Sequence, residues 1–300
     1  MPLIVQDGLP AIDILAKEGI TVESGKTTSY SGKLLHIAIV NLMPIKIQTE
    51  TDFLRILSNT PLHIAIDFIQ MKSHKSKNTS AEHIAKFYKC FDDISTKHYD
   101  GLIITGAPLE MVKYEDVDYW AELSRVIDWS KTSVNSTFYV CWAAFAGLYY
   151  NYGIDKHIID KKISGVFRHK VLERQCSLLR GFDDEFYVPH SRFIVLDKNE
   201  ILSDSRLTIL SEGEKAGVYL VMGENGKEFY ATGHSEYSPL TLDTEYKRDT
   251  MIGLNPAIPE NYYKNDNPDG EVIVRWRAHA NLLFTNWIHH YVNRGKFQYG

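Results

Sequence analysis

Residues 136–154 read STFYVCWAAFAGLYYNYGI. Apolar, β-prone residues run up to Val140, and small or helix-forming residues follow Cys141, so the chain passes from strand to helix at the cysteine. Ala143, Ala144, Ala146 and Gly147 are the small residues that a tight crossing of helix over sheet needs. In open α/β sheets, sites form at the carboxyl ends of the strands, and the N–H groups of a helix that starts there favour a thiolate. A cysteine at a strand end also serves as plain packing, so Cys141 taken alone leaves both readings open.

Outward from this junction the pattern repeats. KLLHIAIVNLMP (33–44), HIAIDFIQM (63–71) and YDGLIITGAP (99–108) are apolar runs closed by loop residues, as buried parallel strands require. Between them, SHKSKNTSAEHIAKFYKCFDDI (73–94) offers Ser and Thr caps, then Ile84, Phe87 and Phe91 at the spacing of one helical face, with Cys90 packing beside it. EDVDYWAELSRVIDWS (115–130) places Val117, Trp120, Leu123 and Ile127 on one side. Strands alternating with helices over 33–154 predict an α/β domain with a mainly parallel sheet and helices on both faces.

Beyond residue 160 the runs shorten and alternate, with a hairpin-like turn at Glu224-Asn225-Gly226, and extend or flank the same sheet. Trp276, His279, Leu283 and Trp287 recur at helical spacing near the end. Without a repeat or linker, the expectation is a single domain over residues 1–300.

Bulk properties exclude several functions. The formal net charge of −5 and the scattered Lys and Arg argue against nucleic acid or an anionic membrane as partner. The first residues lack a signal-peptide pattern and no run is long enough to span a bilayer, which predicts a cytoplasmic protein. Three widely spaced cysteines fit neither a disulfide framework nor a zinc site, and the scattered histidines imply no metal.

A partner for Cys141 stands in YATGHSEYSP (230–239). An apolar strand stops at Gly233, and His234 and Glu236 follow two residues apart, so an extended backbone points both side chains the same way. Such a histidine takes a thiol proton while the carboxylate orients the imidazole. A surface His beside a surface Glu is the plainer alternative, and Cys141 on its own strand end weighs against it.

The chain resembles the homoserine O-acyltransferases of methionine biosynthesis. The resemblance is carried by NLMPIK, SHKSKNTS, DGLIITGAPLE, CWAAFAGLYY, PHSR, TGHSEY, EYKRD, PENYY and WRAHANLLFTNW, in order over nearly the whole chain. It implies a flavodoxin-like, class I glutamine amidotransferase-like fold, with Cys141 carrying the acyl group as a thioester, His234 as general base and Glu236 completing the triad. It further implies a catalytic lysine at Lys46, whose ammonium would stabilise charge on the thioester carbonyl, and substrate-binding positions at Lys162, Ser191 and Arg248. A guanidinium at Arg248 suits the acceptor's carboxylate. No bound cofactor is implied: acetyl-CoA is a co-substrate, L-homoserine the acceptor, and a homodimer the assembly. Glu110 in TGAPLE matches the position where glutamate accompanies acetyl-CoA and glycine accompanies succinyl-CoA.

The chain departs from the family at four places. Ala143 and Phe145 replace a usual Gly and Gln after the nucleophile, Arg168 an acidic residue, and Ser235 a Pro. These departures keep L-serine, one methylene shorter, as an alternative acceptor, and homoserine O-succinyltransferase is a separate alternative. A glutamine amidotransferase or related hydrolase shares the fold, and a non-enzymatic binding protein would tolerate loss of the triad, every member of which is present.

Overall fold

The computed structural model describes residues 3–24 and 33–294. The strands are β1 (Leu3–Val5), β2 (Val22–Ser24), β3 (Leu34–Val40), β4 (His63–Gln70), β5 (Tyr88–Cys90) and β6 (Tyr99–Ile104). They continue with β7 (Val134–Val140), β8 (His157–Val171), β9 (Glu185–Val195), β10 (Leu207–Gly213), β11 (Gly217–Gly223) and β12 (Glu228–Ala231). One sheet runs β2-β1-β4-β3-β6-β7-β12-β11-β10-β8-β9, with β5 added to β4. From β2 to β12 every pairing is parallel; from β12 to β9 every pairing is antiparallel. The short runs beyond residue 160 therefore extend the sheet, and Glu224, Asn225 and Gly226 turn β11 into β12 with φ of 45°, 52° and 84°.

Nine helices among the described residues cover the sheet or its ends: α1 (Pro10–Lys17), α2 (Lys46–Leu57), α3 (Ala81–Phe87), α4 (Phe91–Ile94), α5 (Trp120–Ser133), α6 (Trp142–Tyr152), α7 (Lys198–Ser203), α8 (Thr241–Met251) and α9 (Arg277–Trp287). Alternation along the central strands splits the core in two. Leu35, Ile37, Ile39, Ile103 and Phe138 pack with α1, α2 and α9, whereas Ala38, Val40, Leu102, Ile104 and Tyr139 pack with α5 and α6. Helices thus lie on both faces, which is why these strands are apolar throughout.

The segment 73–94 differs from its expected single helix. Ser80 caps α3 by accepting from the His83 N–H at 3.2 Å, but α3 ends at Phe87. Tyr88–Cys90 then pairs with the edge of β4, and α4 begins at Phe91. Ile84 and Phe87 join one core and Phe91 the other. Helical spacing in the sequence was matched by residues on opposite faces of the sheet, because a vacant strand edge outcompetes another helical turn.

Gly147 lets α6 lie close against β7 and β12. A Cβ there would stand 2.8 Å from Tyr230 Cε1 and 2.9 Å from Tyr139 Cδ1, and these two rings are stacked with centroids 4.7 Å apart. Neither ring can yield without disturbing the other. Gly147→Val should therefore destabilise the fold by about 1–3 kcal/mol, the usual cost of overpacking a filled core. A denaturant midpoint equal to wild type would contradict this packing.

Candidate active site

β6, β7 and β12 are adjacent and parallel, so the residues leaving their carboxyl ends converge. Cys141 leaves β7 and caps α6 with φ 50° and ψ −121°, and its N–H donates to the Ala231 carbonyl at 2.7 Å. A non-glycine residue in this region costs on the order of 1–3 kcal/mol and persists where its surroundings fix it. Those surroundings are tight: a Cβ at Gly106 would lie 3.2 Å from Cys141 Cβ, 3.5 Å from His234 Cε1 and 3.7 Å from the Met43 sulfur. A residue larger than glycine after β6 would fill the space between nucleophile and base. The first N–H groups of α6 lie outside the helical ladder and face the same end.

The expected triad assembles. His234 Nδ1 lies 2.6 Å from Glu236 Oε1, and His234 Cε1 and Cys141 Cβ both border Gly106. His234 is itself fixed from the backbone by Pro189, whose carbonyl accepts its N–H at 2.8 Å, and from one face by Tyr237, whose ring stacks at 4.0 Å. Burial, the largest influence, disfavours the imidazolium, but the negative charges of Cys141 and Glu236 together outweigh it and hold the His234 pKa well above its ordinary value.

The three expected substrate-binding residues gather around two carboxylates that sequence reasoning missed. Glu245 accepts from Ser191 Oγ at 2.5 Å and from the Tyr237 hydroxyl at 3.0 Å. Lys162 Nζ lies 3.9 Å from Glu245 and 3.6 Å from Asp249. Arg248 contacts Asp249 Oδ1 through Nε at 2.8 Å and Nη2 at 2.6 Å. Glu245 and Asp249 share a face of α8 at i,i+4 spacing, a signal the sequence contains but one common on solvated helices.

Glu110 accepts from the Phe193 N–H at 3.2 Å. Burial raises its pKa, against the lowering influence of that N–H and of Lys162, His234 and Arg192. Arg192, also missed, is buried below the site with its Nε 3.3 Å from His190 Nδ1 and its guanidinium over Phe145 at 5.9 Å.

Lys46 opens α2 and is buried. Its Nζ reaches the Asn41 carbonyl at 2.6 Å and lies 5.5 Å from the Tyr88 ring centre. Burial lowers its pKa to about 8, opposed by Glu50. The backbone carbonyl of Met43 lies 3.5 Å from Nζ, and the sulfur of that same residue faces Gly106, so Lys46 stands one residue removed from Cys141.

The four departures from the family pattern have local explanations. Ala143 is buried and does not adopt a positive φ; only Cys141 carries that strain at the turn. Phe145 supplies the ring beneath Arg192, Ser235 Oγ pairs with the Tyr219 hydroxyl at 2.7 Å, and Arg168 pairs with Glu185 at 2.9 Å on the surface. None alters the triad. One exposed trio, His157, Asp197 and Glu200, brings potential metal-ligand atoms within 4.8 Å of one another but shares no residue with the site. No helix among the described residues is long and apolar enough to cross a membrane.

The fold resembles glutamine amidotransferases. One from Thermotoga maritima matches with TM-score 0.57 at 13% identity over 86% of this chain and 98% of its own. Another, from Methylobacillus flagellatus, matches with TM-score 0.53 at 12% identity over 90% and 100%. An amidotransferase-like α/β fold with a cysteine, a histidine and a glutamate at its strand ends is the class defined. Within it, the profile of the homoserine O-succinyltransferase family matches residues 2–297, and the chain belongs to that family. A homoserine O-acetyltransferase of Bacteroides fragilis is 54% identical over 97% of this chain and 96% of its own length; one of Clostridium novyi is 50% identical over 97% of each.

Cys141 is one of the two residues that raise the His234 pKa, so Cys141→Ala should lower it, since burial then faces Glu236 alone. In an NMR titration the wild-type imidazolium should persist to higher pH than that of the variant. Superimposable titrations would separate the two residues electrostatically.

Proposed function

We propose that this protein is a homoserine O-acetyltransferase working through a thioester on Cys141, with one domain over residues 1–300 carrying the activity. The observation that carries the reading is the Cys141 turn, with hydrogen-bonded His234 and Glu236, set beside a cluster of paired cations and carboxylates. The names of the relatives and the glutamate at 110 favour acetyl as the group transferred.

The Cys141 sulfur attacks the thioester carbonyl of acetyl-CoA, and the bond to the coenzyme's sulfur breaks. His234 supplies the proton that the departing thiolate takes. Acylation removes the negative charge that raised the His234 pKa, so the imidazole is left neutral and ready to act as a base. It takes the proton of the homoserine hydroxyl as that oxygen attacks the thioester, and the Cys141 thiolate leaves with the charge pair restored. N–H groups at the start of α6 and the Lys46 ammonium favour the negative charge that develops on the carbonyl oxygen.

The acceptor is a zwitterion, and the cluster offers both signs. Glu245 and Asp249 suit its ammonium; Lys162 and Arg248 suit its carboxylate, with Ser191 holding Glu245 in place. Homoserine over serine is a difference of one methylene, worth about 1–3 kcal/mol in such a pocket. Acetyl-CoA is a co-substrate and no resident cofactor takes part. The protein works in the cytoplasm as a homodimer.

Glu110 is mostly buried and feels the charges of both His234 and Lys162, so on this reading its carboxylate faces the far end of a longer acyl group. A succinyl carboxylate would meet it at close range, at a cost of roughly 2–4 kcal/mol in a partly screened site. Steady-state kinetics should show kcat/KM for acetyl-CoA above that for succinyl-CoA by on the order of 100-fold. Glu110→Gly should shift the donor ratio toward succinyl-CoA, while homoserine should outperform serine in the wild type. Glutamine hydrolysis without acetyl transfer, or a donor ratio unmoved by Glu110→Gly, would refute the assignment.

The depressed pKa of Lys46 gives a pH test. If its ammonium assists, activity should fall as pH rises through about 8, where Lys46 loses its proton. Lys46→Arg should keep its charge and move that alkaline limb upward. An alkaline limb identical in both would remove Lys46 from the chemistry.

A further inference from the structure

A cleft of about 160 Å³ opens at the carboxyl ends of β3, β4 and β6. Its walls are largely apolar, with Leu42, Met43, Met71, Pro108, Leu109 and Tyr119. Met43 joins it to the nucleophile, since the Met43 sulfur and Cys141 Cβ both face Gly106. The cluster of Lys162, Ser191, Glu245 and Asp249 does not line this cleft. The nucleophile therefore has two distinct flanks, one holding the paired cations and carboxylates and one mixing these apolar walls with Asn41, Lys46 and Gln70.

The outer rim of the cleft is the segment between β4 and α3, which contributes His74, Ser76, Lys77 and Asn78. This segment is rich in cations. Lys72 is paired with Asp92 at 3.4 Å and His74 with Asp118 at 2.7 Å. Lys75 and Lys77 are exposed and have no ion pair among the described residues. The amino end of α2 adds positive potential, because Ile45 provides no side-chain cap.

We infer that this cleft is the docking site of the acyl donor, with the pantetheine arm between the apolar walls and the phosphates of coenzyme A on Lys75 and Lys77. The inference rests on the acyl-CoA reading above and deepens it. An arm of methylenes and amides ending in a thioester suits a narrow cleft whose Met43 wall faces Gly106 beside Cys141, and a phosphorylated nucleotide suits the unpaired Lys77 on its rim with Lys75 two residues away. A wider groove of about 850 Å³ lies between α1, α2 and α9, but its Arg55 is already engaged by Glu18 at 2.6 Å and Asp52 at 2.7 Å. Arg277 is the remaining cation on that wall among the described residues.

Calorimetric titration with coenzyme A tests the site directly. Lys75→Glu/Lys77→Glu should raise the Kd about tenfold or more at low ionic strength, and the difference should shrink as salt screens it. In acetylation of Cys141, the same double variant should lose about tenfold of its preference for acetyl-CoA over S-acetyl-N-acetylcysteamine, which has no phosphate. Ser76→Trp, which narrows the cleft, should slow acetylation by both donors. An unchanged coenzyme A Kd in the double variant, or a loss that follows Arg277→Glu instead, would overturn the placement. A wild type that binds coenzyme A through these lysines yet is never acetylated by acetyl-CoA would refute the activity and leave the site standing.

Discussion

The positive φ at Cys141 is the constraint on which the rest of this structure depends. It turns the chain from β7 into α6 within a single residue and leaves the sulfur at the carboxyl end of the sheet instead of inside a helix. Holding that turn requires glycine at 106 and 147, the Ala231 carbonyl on the cysteine's N–H, and small residues along the start of α6. These lie on the loop after β6, on β12 and on α6, so the strained residue is fixed by several elements at once. The cost of the strain is small beside the core that enforces it.

The second dependence is electrostatic. His234 and Glu236 are buried, where an isolated imidazolium is unfavourable, and Cys141 and Glu236 together reverse that preference. In the proposed mechanism charge is exchanged within the site as the acyl group arrives and leaves: the sulfur loses its charge on acylation and the imidazole loses its proton with it. Tyr237 couples this pair to the acceptor side, because its ring stacks on His234 and its hydroxyl bonds Glu245.

Much of this was legible in the sequence where a single element carries the signal. The β7–α6 junction, the His234 and Glu236 pair and the hairpin at Asn225 are local patterns, and the structure builds them as read. What escaped depends on neighbours far along the chain. Phe91 has helical spacing from Ile84 and Phe87, but the open edge of β4 claims Tyr88–Cys90 and splits the helix. Glu245 and Asp249 look like ordinary solvated acids until β8 and β9 bring Lys162 and Ser191 against them. Lys46 looks exposed until Asn41 and Tyr88 enclose it. The family resemblance supplied Lys46, Lys162, Ser191 and Arg248, whose roles no local pattern announces.

The central claim is that Cys141 carries the acyl group, and mass spectrometry of the enzyme incubated with acetyl-CoA in the absence of an acceptor tests it most directly. The account predicts a single acetyl group on the peptide containing Cys141, removed on addition of homoserine and absent from Cys141→Ala. An acetyl group on Lys46 or Ser191, with Cys141 unmodified, would contradict it.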